Sequence, residues 1–314
     1  MGEDYLAQPE PRTKQRRLRV WPLVSLILLV FFSFGTLGYY LAGLLAFVPV
    51  DVSLPGFGAA VEKMNILVIG SDQRKNEPSR ADTLMLVMAD PNAPHVGVLS
   101  IPRDTYLNVP GHGETKVAHA HAYGGPDLAV QTVEAFLGVP VDHYLEINFE
   151  GFAAIVDTLG GIELDVERRM YHPEEGINLK AGRQRLNGKD ALAFVRFRDY
   201  PEGDIERIRH QQRFLLALAD EALSLKGILK SPRLLQELYT YVKTDLSLNE
   251  MLSLAKALRN LRPEQVSLAL LPGEPRYLHG VSYWMADPAE VQTVLASLQQ
   301  APGGTEAQAK EKSR

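Results

Sequence analysis

The stretch MNILVIG occupies residues 64–70 and is apolar apart from Asn65 up to its closing glycine. A short apolar run that ends at a turn residue is typical of a strand buried on both faces. TLMLVMA (83–89) and VGVLSI (96–101) have the same character. We predict further strands at 143–149, 161–166 and 191–198, and helices at 125–137, 152–161 and 205–225. Strands that alternate with helices predict an α/β fold, here a single α/β/α domain with a central mixed sheet.

An uncharged segment precedes this domain. Residues 20–50 contain no charged side chain, and a helix needs only about 20 apolar residues to cross a membrane. We therefore predict one transmembrane helix over residues 20–48. The alternatives are a buried core helix and a cleaved signal peptide, and the segment is longer than either usually is. The basic residues within 1–19 predict a cytoplasmic tail, so the domain is expected to be extracytoplasmic on a single-pass protein of the cell membrane.

The remaining organisation follows from composition. Residues 49–62 are rich in Pro and Gly and are predicted to be a linker. Residues 63–300 are predicted to be the folded domain, and the polar residues 301–314 a disordered tail. The chain has no cysteine, which excludes disulfides and thiolate chemistry. Its net charge is −5 although residues 1–19 are basic, so the domain is acidic, which argues against a nucleic-acid partner.

Charged residues flank the predicted strands. The first strand leads directly to Asp72 at its carboxyl end, where open α/β sheets bind their ligands. Arg80 and Asp82 immediately precede the next strand. Two carboxylates at neighbouring strand ends suit a hard cation such as Mg²⁺, and the alternative is that they are ordinary turn or capping residues. Arg103 and Asp104 follow the third strand, where such a pair alone is typical of a surface ion pair.

Two arginines are more informative. In VRFR (195–198), Arg196 and Arg198 are two apart on a predicted strand, so they project from one face while Val195 and Phe197 face the core. Adjacent guanidinium groups repel each other unless an anion lies between them, and their planar fork suits phosphate. A solvated strand face with acidic partners is the alternative interpretation.

The long helix begins with a further set of polar residues. Asp204 is a candidate N-cap, and Arg207 and Gln211 share one face close to the helix start. Helix N-termini attract anions, although a charged first turn is also common on surface helices. His119 and His121 lack a third ligand and are interpreted as structural or supporting residues. Taken together, the arginines and aspartates suit a polyanion bound with a metal, and diphosphate is the obvious candidate.

Six segments then occur in a characteristic order. They are GSD (70–72), RAD (80–82), SIPRD (100–104), GFAAIVDTLGGIELDV (151–166), LNGKDALAFVRFR (186–198) and GDIERIRHQQ (203–212). This series resembles the LytR-CpsA-Psr family of cell-envelope proteins, strongly over residues 63–220 and more weakly to about residue 298. One departure is Ala118, where the family often has Asn.

The resemblance implies a phosphotransferase of cell-wall biogenesis. It would move a glycopolymer from a polyprenyl-diphosphate carrier to a peptidoglycan hydroxyl, with the polyprenyl tail in an apolar tunnel. It implies Mg²⁺ (or Mn²⁺) held by Asp72 and Asp82, and Asp82 or Asp104 as general base. The residues implied to bind the diphosphate are Arg80, Arg103, Arg196, Arg198, Arg207 and Gln211, of which Arg103, Arg196, Arg198 and Arg207 are also catalytic, with Asp104 and Asp204 as supports.

Three other functions remain open from the sequence. The same site would serve a polyprenyl-diphosphate phosphatase, with water in place of the acceptor hydroxyl. Members of the family have also been labelled transcriptional attenuators, but an acidic extracytoplasmic domain argues against direct DNA binding. The third alternative is a lipid-binding or scaffolding module without turnover.

Overall fold

The computed structural model describes residues 63–72, 80–90, 95–223, 237, 240–258 and 261–300. The predicted cytoplasmic tail (1–19), transmembrane helix (20–48), linker (49–62) and C-terminal tail (301–314) lie outside these residues. Within the described ranges, no helix combines the length and apolar character that a membrane span requires.

The strands and helices follow the alternating order expected from the sequence. The strands are β1 Met64–Asp72, β2 Arg80–Asp90, β3 His95–Ile101, β4 Tyr106–Val109, β5 Gly113–Lys116, β6 His143–Asn148, β7 Ile162–Val166, β8 Met170–His172, β9 Ile177–Leu179, β10 Gly182–Leu186, β11 Val242–Thr244, β12 Val266–Leu270, β13 Gly273–Leu278 and β14 Val281–Ala286. The helices are α1 Val117–Leu137, α2 Phe149–Leu159, α3 Gly188–Arg196, α4 Asp204–Leu223, α5 Leu248–Leu258 and α6 Pro288–Leu298, with short 3₁₀ turns at Pro173–Glu175 and Pro263–Gln265.

A six-stranded sheet of order β11-β6-β1-β2-β3-β12 forms the centre of the domain. β1 pairs antiparallel with β2 and parallel with β6. β2 and β3 are antiparallel, β3 and β12 are parallel, and β6 and β11 are antiparallel. The predicted mixed α/β fold with a central mixed sheet is therefore confirmed.

The two faces of this sheet differ in what covers them. One face buries Leu67, Ile69 and Leu86 in a core shared with α1 and α6. The opposite face carries Val68 and Met85, which share a cluster with residues of α4 and α5. Helices α2, α3 and α4 form a second core of their own with β7 and β9, beside that face. Because these three helices pack mainly on one another, they leave space between themselves and the sheet.

The strand predicted at 191–198 is wrong. Residues up to Arg196 belong to α3, whose N-cap Asn187 accepts a hydrogen bond from the backbone N–H of Asp190 at 2.9 Å. The run ALAFVRFR alternates, but a short apolar run does not distinguish a strand from a buried helix, and the cap decides in favour of the helix. Val195 and Phe197 are nevertheless buried, as expected.

One helix start differs from the prediction. Asp204, predicted as an N-cap, is the first residue of α4, and the N–H of Arg207 donates to the carbonyl of Gly203 at 3.2 Å. The helix predicted at 125–137 is the second part of α1, which begins at Val117 and is interrupted by non-helical backbone at Gly124 and Gly125. Gly125 has a φ of 65°, which favours glycine, and the helix resumes at a proline, a residue suited to a first turn.

The strand directions bring several chain segments to one edge of the sheet. Asp72 ends β1 opposite the start of β2, and a register shift after Gly70 leaves Asp82 as the extra residue of a β-bulge. β3 ends at this same edge, because Ile101 pairs with Leu84 near the start of β2. Residues that follow β1 and β3 or begin β2 are thus neighbours.

A polar contact fixes α1 against this part of the sheet. Nε2 of His121 in α1 lies 3.0 Å from Oε1 of Glu146 in β6, and both side chains are largely buried. Glu146 is paired with Ile69 of β1, so the contact reaches the strand that ends at Asp72. Hydrogen bonding with His121 lowers the pKa of Glu146 below its ordinary value, in spite of the opposing effect of burial.

This contact predicts a pH-dependent contribution to stability. Because the pKa of Glu146 is lower in the folded than in the unfolded protein, its stabilisation is complete above about pH 4.5 and is lost as the pH falls through the folded value. We expect Glu146→Gln to reduce the free energy of unfolding at pH 6 by about 1 kcal/mol, and by less at pH 3.5. Urea denaturation at both pH values measures this, with the exposed Glu264→Gln as control. An equal loss at both pH values would contradict it.

Candidate active site

A cavity of about 710 Å³ occupies the space between the sheet and helices α2, α3 and α4. The sheet supplies its floor, and the three helices supply its roof. On the floor, side chains on one face of neighbouring strands stand in rows that follow the register. One row is Val242, Ile147, Gly70 and Thr83, and the next is Leu145, Val68 and Met85. Beyond the first row, at the sheet edge, lie Asp72 and Asp82.

Gly70 keeps the centre of this floor open. A Cβ atom at this position would lie 3.0 Å from the Cβ of Thr83, and any larger side chain would extend from the row into the cavity. The space required in the cavity therefore explains why glycine occupies this position of the GSD segment.

The residues of helix α4 that line the roof also change from polar to apolar with distance from the sheet edge. Arg207, Gln211, Phe214, Leu215 and Leu218 line the cavity at the helical spacing that puts residues on one face. The polar pair comes first, and the apolar residues extend to Leu218, about 16 Å from Arg207 along the helix axis. The cavity is consequently charged at the sheet edge and apolar in its interior.

Arg103 connects the sheet edge to the roof. Its NH1 donates to Oδ1 of Asp82 at 2.6 Å, and its Nε donates to Oδ2 of Asp204 at 3.1 Å. Asp104 is more distant, at 4.0 Å. Burial opposes the charge, yet the carboxylates of Asp204 and Asp82 outweigh it and raise the pKa of Arg103 above its ordinary value. Arg103 is thus a fixed cation at the cavity.

Arg207 is more deeply buried and less completely paired. Its side chain is 7% exposed, and NH2 donates to Asp204 at 3.2 Å and to the carbonyl of Asp82 at 3.4 Å. Its Nε is buried without a hydrogen-bond partner among the described residues. Burial is the main cause of a pKa below the ordinary arginine value. A buried donor of this kind gains free energy when an anion binds beside it.

Arg196 and Arg198 both line the cavity, as predicted, although not from a strand. Arg196 ends α3, and the extended backbone of Phe197 (φ −63°, ψ 133°) then turns the next side chain to the same side. Both guanidinium groups approach Glu175, with NH2 atoms 3.5 Å and 3.8 Å from its carboxylate oxygens. Arg196 also lies over the ring of Phe149, 4.9 Å from the centroid.

Most of the other predicted site residues also meet here. Asp72, Asp82, Asp104 and Gln211 line the cavity, and Asp204 contacts it through the two arginines it binds. The backbone of Arg80 pairs with Asp72 at the sheet edge, but its side chain is outside the described part of the structure.

Sequence reasoning missed two charged residues of the site. Lys116 lines the cavity and donates to Oδ1 of Asp104 at 2.6 Å. It sits in the stretch KVAHAHAYGG, so its position beside the departure at Ala118 was an available signal. Glu175 lies about 20 residues before the arginines that it contacts, in a turn with no recognisable pattern. His119 also lines the cavity, and its Nδ1 is hydrogen-bonded to Thr115 at 2.8 Å.

The residues present are compatible with a divalent cation. Asp72 and Asp82 lie on paired strand ends and line the same cavity. Among the described residues, no group of three or more His, Cys, Asp or Glu side chains is arranged so that it could hold a metal ion by itself. Mg²⁺ is commonly held by one or two carboxylates together with substrate phosphates and water, and these two carboxylates meet that requirement.

Comparison with known proteins gives relatives of high coverage. A polyisoprenyl-teichoic acid–peptidoglycan teichoic acid transferase, TagU of Bacillus licheniformis, is 30% identical over 303 residues, which are 93% of this chain and 98% of that protein. The crystal structure of B. subtilis TagV superposes with a TM-score of 0.69 at 30% identity, over 77% of this chain and 97% of that one. A LytR-CPS2A-psr family protein, YwtF (TagT), with bound octaprenyl pyrophosphate lipid, superposes with a TM-score of 0.61 at 32% identity, over 77% and 91%.

The match to a family agrees with these likenesses and with the motif order. The LytR_cpsA_psr family matches residues 49–300, which include the complete sheet and each element that lines the cavity. The chain therefore belongs to the LytR_cpsA_psr family.

Proposed function

We propose that this protein transfers a glycopolymer from a polyprenyl-diphosphate carrier to a hydroxyl group of peptidoglycan. The observation that carries the proposal is the cavity with arginines at one end and apolar side chains along the rest. A polyprenyl diphosphate has the same division, with a charged head and a long apolar tail. The relatives support it, because one is named as a teichoic acid transferase to peptidoglycan and another binds octaprenyl pyrophosphate.

The apolar part of the cavity would bind the polyprenyl tail. Its walls are aliphatic and aromatic side chains from the sheet and from α2, α3 and α4, including Val68, Phe152 and Leu218. Burial of each CH₂ group there is worth about 0.8 kcal/mol, so a tail of several prenyl units would supply much of the affinity. The charged head would then be held at the sheet edge.

The arginines would bind the diphosphate and stabilise the charge that develops on it. Arg103 and Arg207 are held by Asp82 and Asp204, so their donors are positioned before substrate arrives. Preorganised donors of this kind stabilise a transition state without reorganisation. Arg80, Arg196, Arg198 and Gln211 would complete the set.

The reaction is a displacement at phosphorus. The acceptor oxygen forms a bond to the glycan-linked phosphorus while the phosphoanhydride bond breaks, and polyprenyl monophosphate leaves with the bonding electrons. The proton of the acceptor hydroxyl passes to a carboxylate, for which Asp82 and Asp104 are the candidates that line the cavity. Lys116 lies 2.6 Å from Asp104 and would hold that carboxylate in position.

Mg²⁺ or Mn²⁺ would be held by Asp72 and Asp82. When bound, the ion would neutralise charge on the diphosphate oxygens. Each of these carboxylates would then contribute a negative charge and an oxygen ligand, with Arg103 keeping Asp82 oriented through its 2.6 Å hydrogen bond.

The location of the substrate sets the location of the protein. A carrier lipid is embedded in a membrane, so an enzyme that acts on its head group has to work at the membrane surface. The uncharged segment 20–48 would anchor the domain there, on the extracytoplasmic side.

Two non-transferase functions would use the same residues. A phosphatase would accept water in place of the peptidoglycan hydroxyl, and a lipid-binding or attenuator protein would bind the carrier without turnover. Two observations distinguish these functions from transfer. A binding protein forms no product, and a phosphatase forms product without the acceptor.

Transfer should require both the acceptor and the arginines. We expect the full-length protein, incubated with a diphosphate-linked glycan and Mg²⁺, to release polyprenyl monophosphate several-fold faster when peptidoglycan is present. Arg196→Ala should slow this by about ten- to a hundredfold, the effect of one lost charged hydrogen bond. Quantifying glycan bound to peptidoglycan measures the transfer. Equal release without acceptor would favour the phosphatase, and no release would favour a binding module.

Narrowing the apolar end should affect long carriers selectively. Leu218→Trp places a larger ring in the roof far from the arginines, so the KM for a carrier of eight prenyl units should rise while that for two units stays near the wild-type value. Leu218→Met, which conserves volume, is the control. The same rise in KM for both carriers would show that the tail does not reach Leu218.

Removal of either proposed metal ligand should weaken binding of the ion. We expect Asp72→Asn and Asp82→Asn each to raise the Mg²⁺ concentration for half-maximal activity by about tenfold or more, since even supporting residues of metal sites have effects of that size. Calorimetric titration of Mg²⁺ in the presence of diphosphate provides a second readout. Asp220→Asn, an exposed carboxylate of α4, should leave both measurements unchanged. Unchanged Mg²⁺ dependence in both Asp72→Asn and Asp82→Asn would remove these two carboxylates as ligands.

A further inference from the structure

A carboxylate already lies where a phosphate group would be expected. Glu175 lines the cavity, and its two oxygens face the NH2 atoms of Arg196 and Arg198 at 3.5 Å and 3.8 Å. Carboxylate and phosphate oxygens are the same kind of acceptor for a guanidinium fork. A single glutamate therefore partly neutralises two cations that the proposed function assigns to the diphosphate.

The turn that carries Glu175 is anchored by buried residues on both sides. It ends the 3₁₀ turn Pro173–Glu175, which joins β8 to β9, and Gly176 closes the turn with a φ of 70°. The strands on either side are fixed by Met170 and Ile177, which are almost fully buried in the core that also contains Val195 and Phe197. The turn and the arginines are consequently built on one core.

A second contact joins the same two segments. His172 at the start of the turn is hydrogen-bonded through Nδ1 to the carboxylate of Asp199, the residue directly after Arg198. The turn can therefore stay attached beside the arginines through His172 while the side chain of Glu175 moves.

The contacts of Glu175 are looser than those at the other arginines. Arg103 is held by Asp82 at 2.6 Å and by Asp204 at 3.1 Å, whereas both Glu175 pairs exceed 3.4 Å. The side chain of Arg198 is also 51% exposed. Long ion pairs between partly exposed side chains contribute little to stability. These are therefore the pairs that a phosphate ligand replaces most easily.

We propose that Glu175 is a displaceable counter-ion, which occupies the arginine pair until a diphosphate replaces it and thereby sets how tightly the site holds its phosphate ligands. This rests on the proposed function, because it takes Arg196 and Arg198 as diphosphate ligands. The two phosphoryl groups of a diphosphate can contact Arg103 and Arg207 as well as the arginine pair, and these added contacts allow the ligand to displace the carboxylate. A monophosphate has only one phosphoryl group and makes fewer of these contacts, so Glu175 favours its release.

The proposal gives Glu175 different effects on substrate binding and on product release. Before transfer, the ligand at the arginines is the carrier diphosphate, and after cleavage of the phosphoanhydride bond it is polyprenyl monophosphate. Return of Glu175 to the arginines would compete with that product. The residue would weaken substrate binding somewhat and accelerate product release.

Binding of inorganic diphosphate to the full-length protein, in Mg²⁺, tests the proposal. Glu175→Gln keeps the size of the side chain and removes its charge, so we expect the Kd to fall about five- to tenfold, the effect of losing two half-exposed ion pairs. Glu175→Asp retains the charge and should stay closer to the wild type. Glu174→Gln, an exposed neighbour in the same turn, is the matched control and should change the Kd less than about twofold.

Two further measurements separate this role from a structural one. Glu175→Gln should lower the KM for the lipid-linked donor and strengthen inhibition by polyprenyl monophosphate, with no increase in kcat. A glutamate that only holds the turn would instead give a lower Tm and weaker binding when replaced.

The outcomes distinguish this proposal from the proposed function. If Arg196→Ala weakens diphosphate binding but Glu175→Gln leaves it unchanged or weaker, the displacement role is overturned and the diphosphate site stands. If Arg196→Ala has no effect, or if the wild type binds no diphosphate, the site itself is wrong and the role of Glu175 falls with it.

Discussion

The two hydrogen bonds of Arg103 are the constraint on which the site depends. One goes to Asp82 in the bulge at the start of β2, and the other goes to Asp204 at the start of α4. The guanidinium group thus links the edge of the sheet to the roof of the cavity. Because the cation is partly buried, it would be costly without these carboxylates, and each carboxylate would be costly without it. The same bonds fix Arg103 in place among the residues that line the charged end of the cavity.

The apolar interior exists because the helices of the roof pack mainly on one another and not on the central sheet. Helices α2, α3 and α4 bury their own core around Phe194 and Phe214, and they do not need the sheet to complete it. Leu215 of the roof packs against Met85 of the floor. At the charged end of the cavity, Arg103 sets the distance between the sheet and α4. A lipid tail that fills an apolar cavity of this size gains dispersion contacts as well as burial.

The sequence predicted the framework better than the site. The apolar runs at 64–70, 83–89 and 96–101 are strands because continuous hydrophobicity over that length, bounded by turn residues, has few other outcomes. The run at 191–198 is predicted as a strand because it alternates. The helix N-cap formed by Asn187 and the N–H of Asp190 shows that the segment is helical. The arginines still converge, because one extended residue, Phe197, gives two side chains a common direction whether or not a strand continues. Glu175 could not be predicted, because its contact with them is created by packing of the turn between β8 and β9 and leaves no periodic trace.

One face of helix α4 changes from polar to apolar along the length of the cavity. This separates the residues that face the charged end from those that face the apolar end. Arg207 and Gln211 face the charged end, and Leu218, about 16 Å from Arg207 along the axis, faces the apolar end. Residues this far apart, without shared partners, affect binding almost independently. A substitution in the apolar part of this face is therefore expected to leave the residues proposed to hold the head group unaffected. In the proposed function, binding of the head group depends on the balance between arginines and carboxylates at the charged end. There Arg103 is paired closely with Asp82, whereas Arg196 and Arg198 are paired at longer distances with Glu175. A site that combines fixed and exchangeable counter-ions can both orient a diphosphate and release a monophosphate.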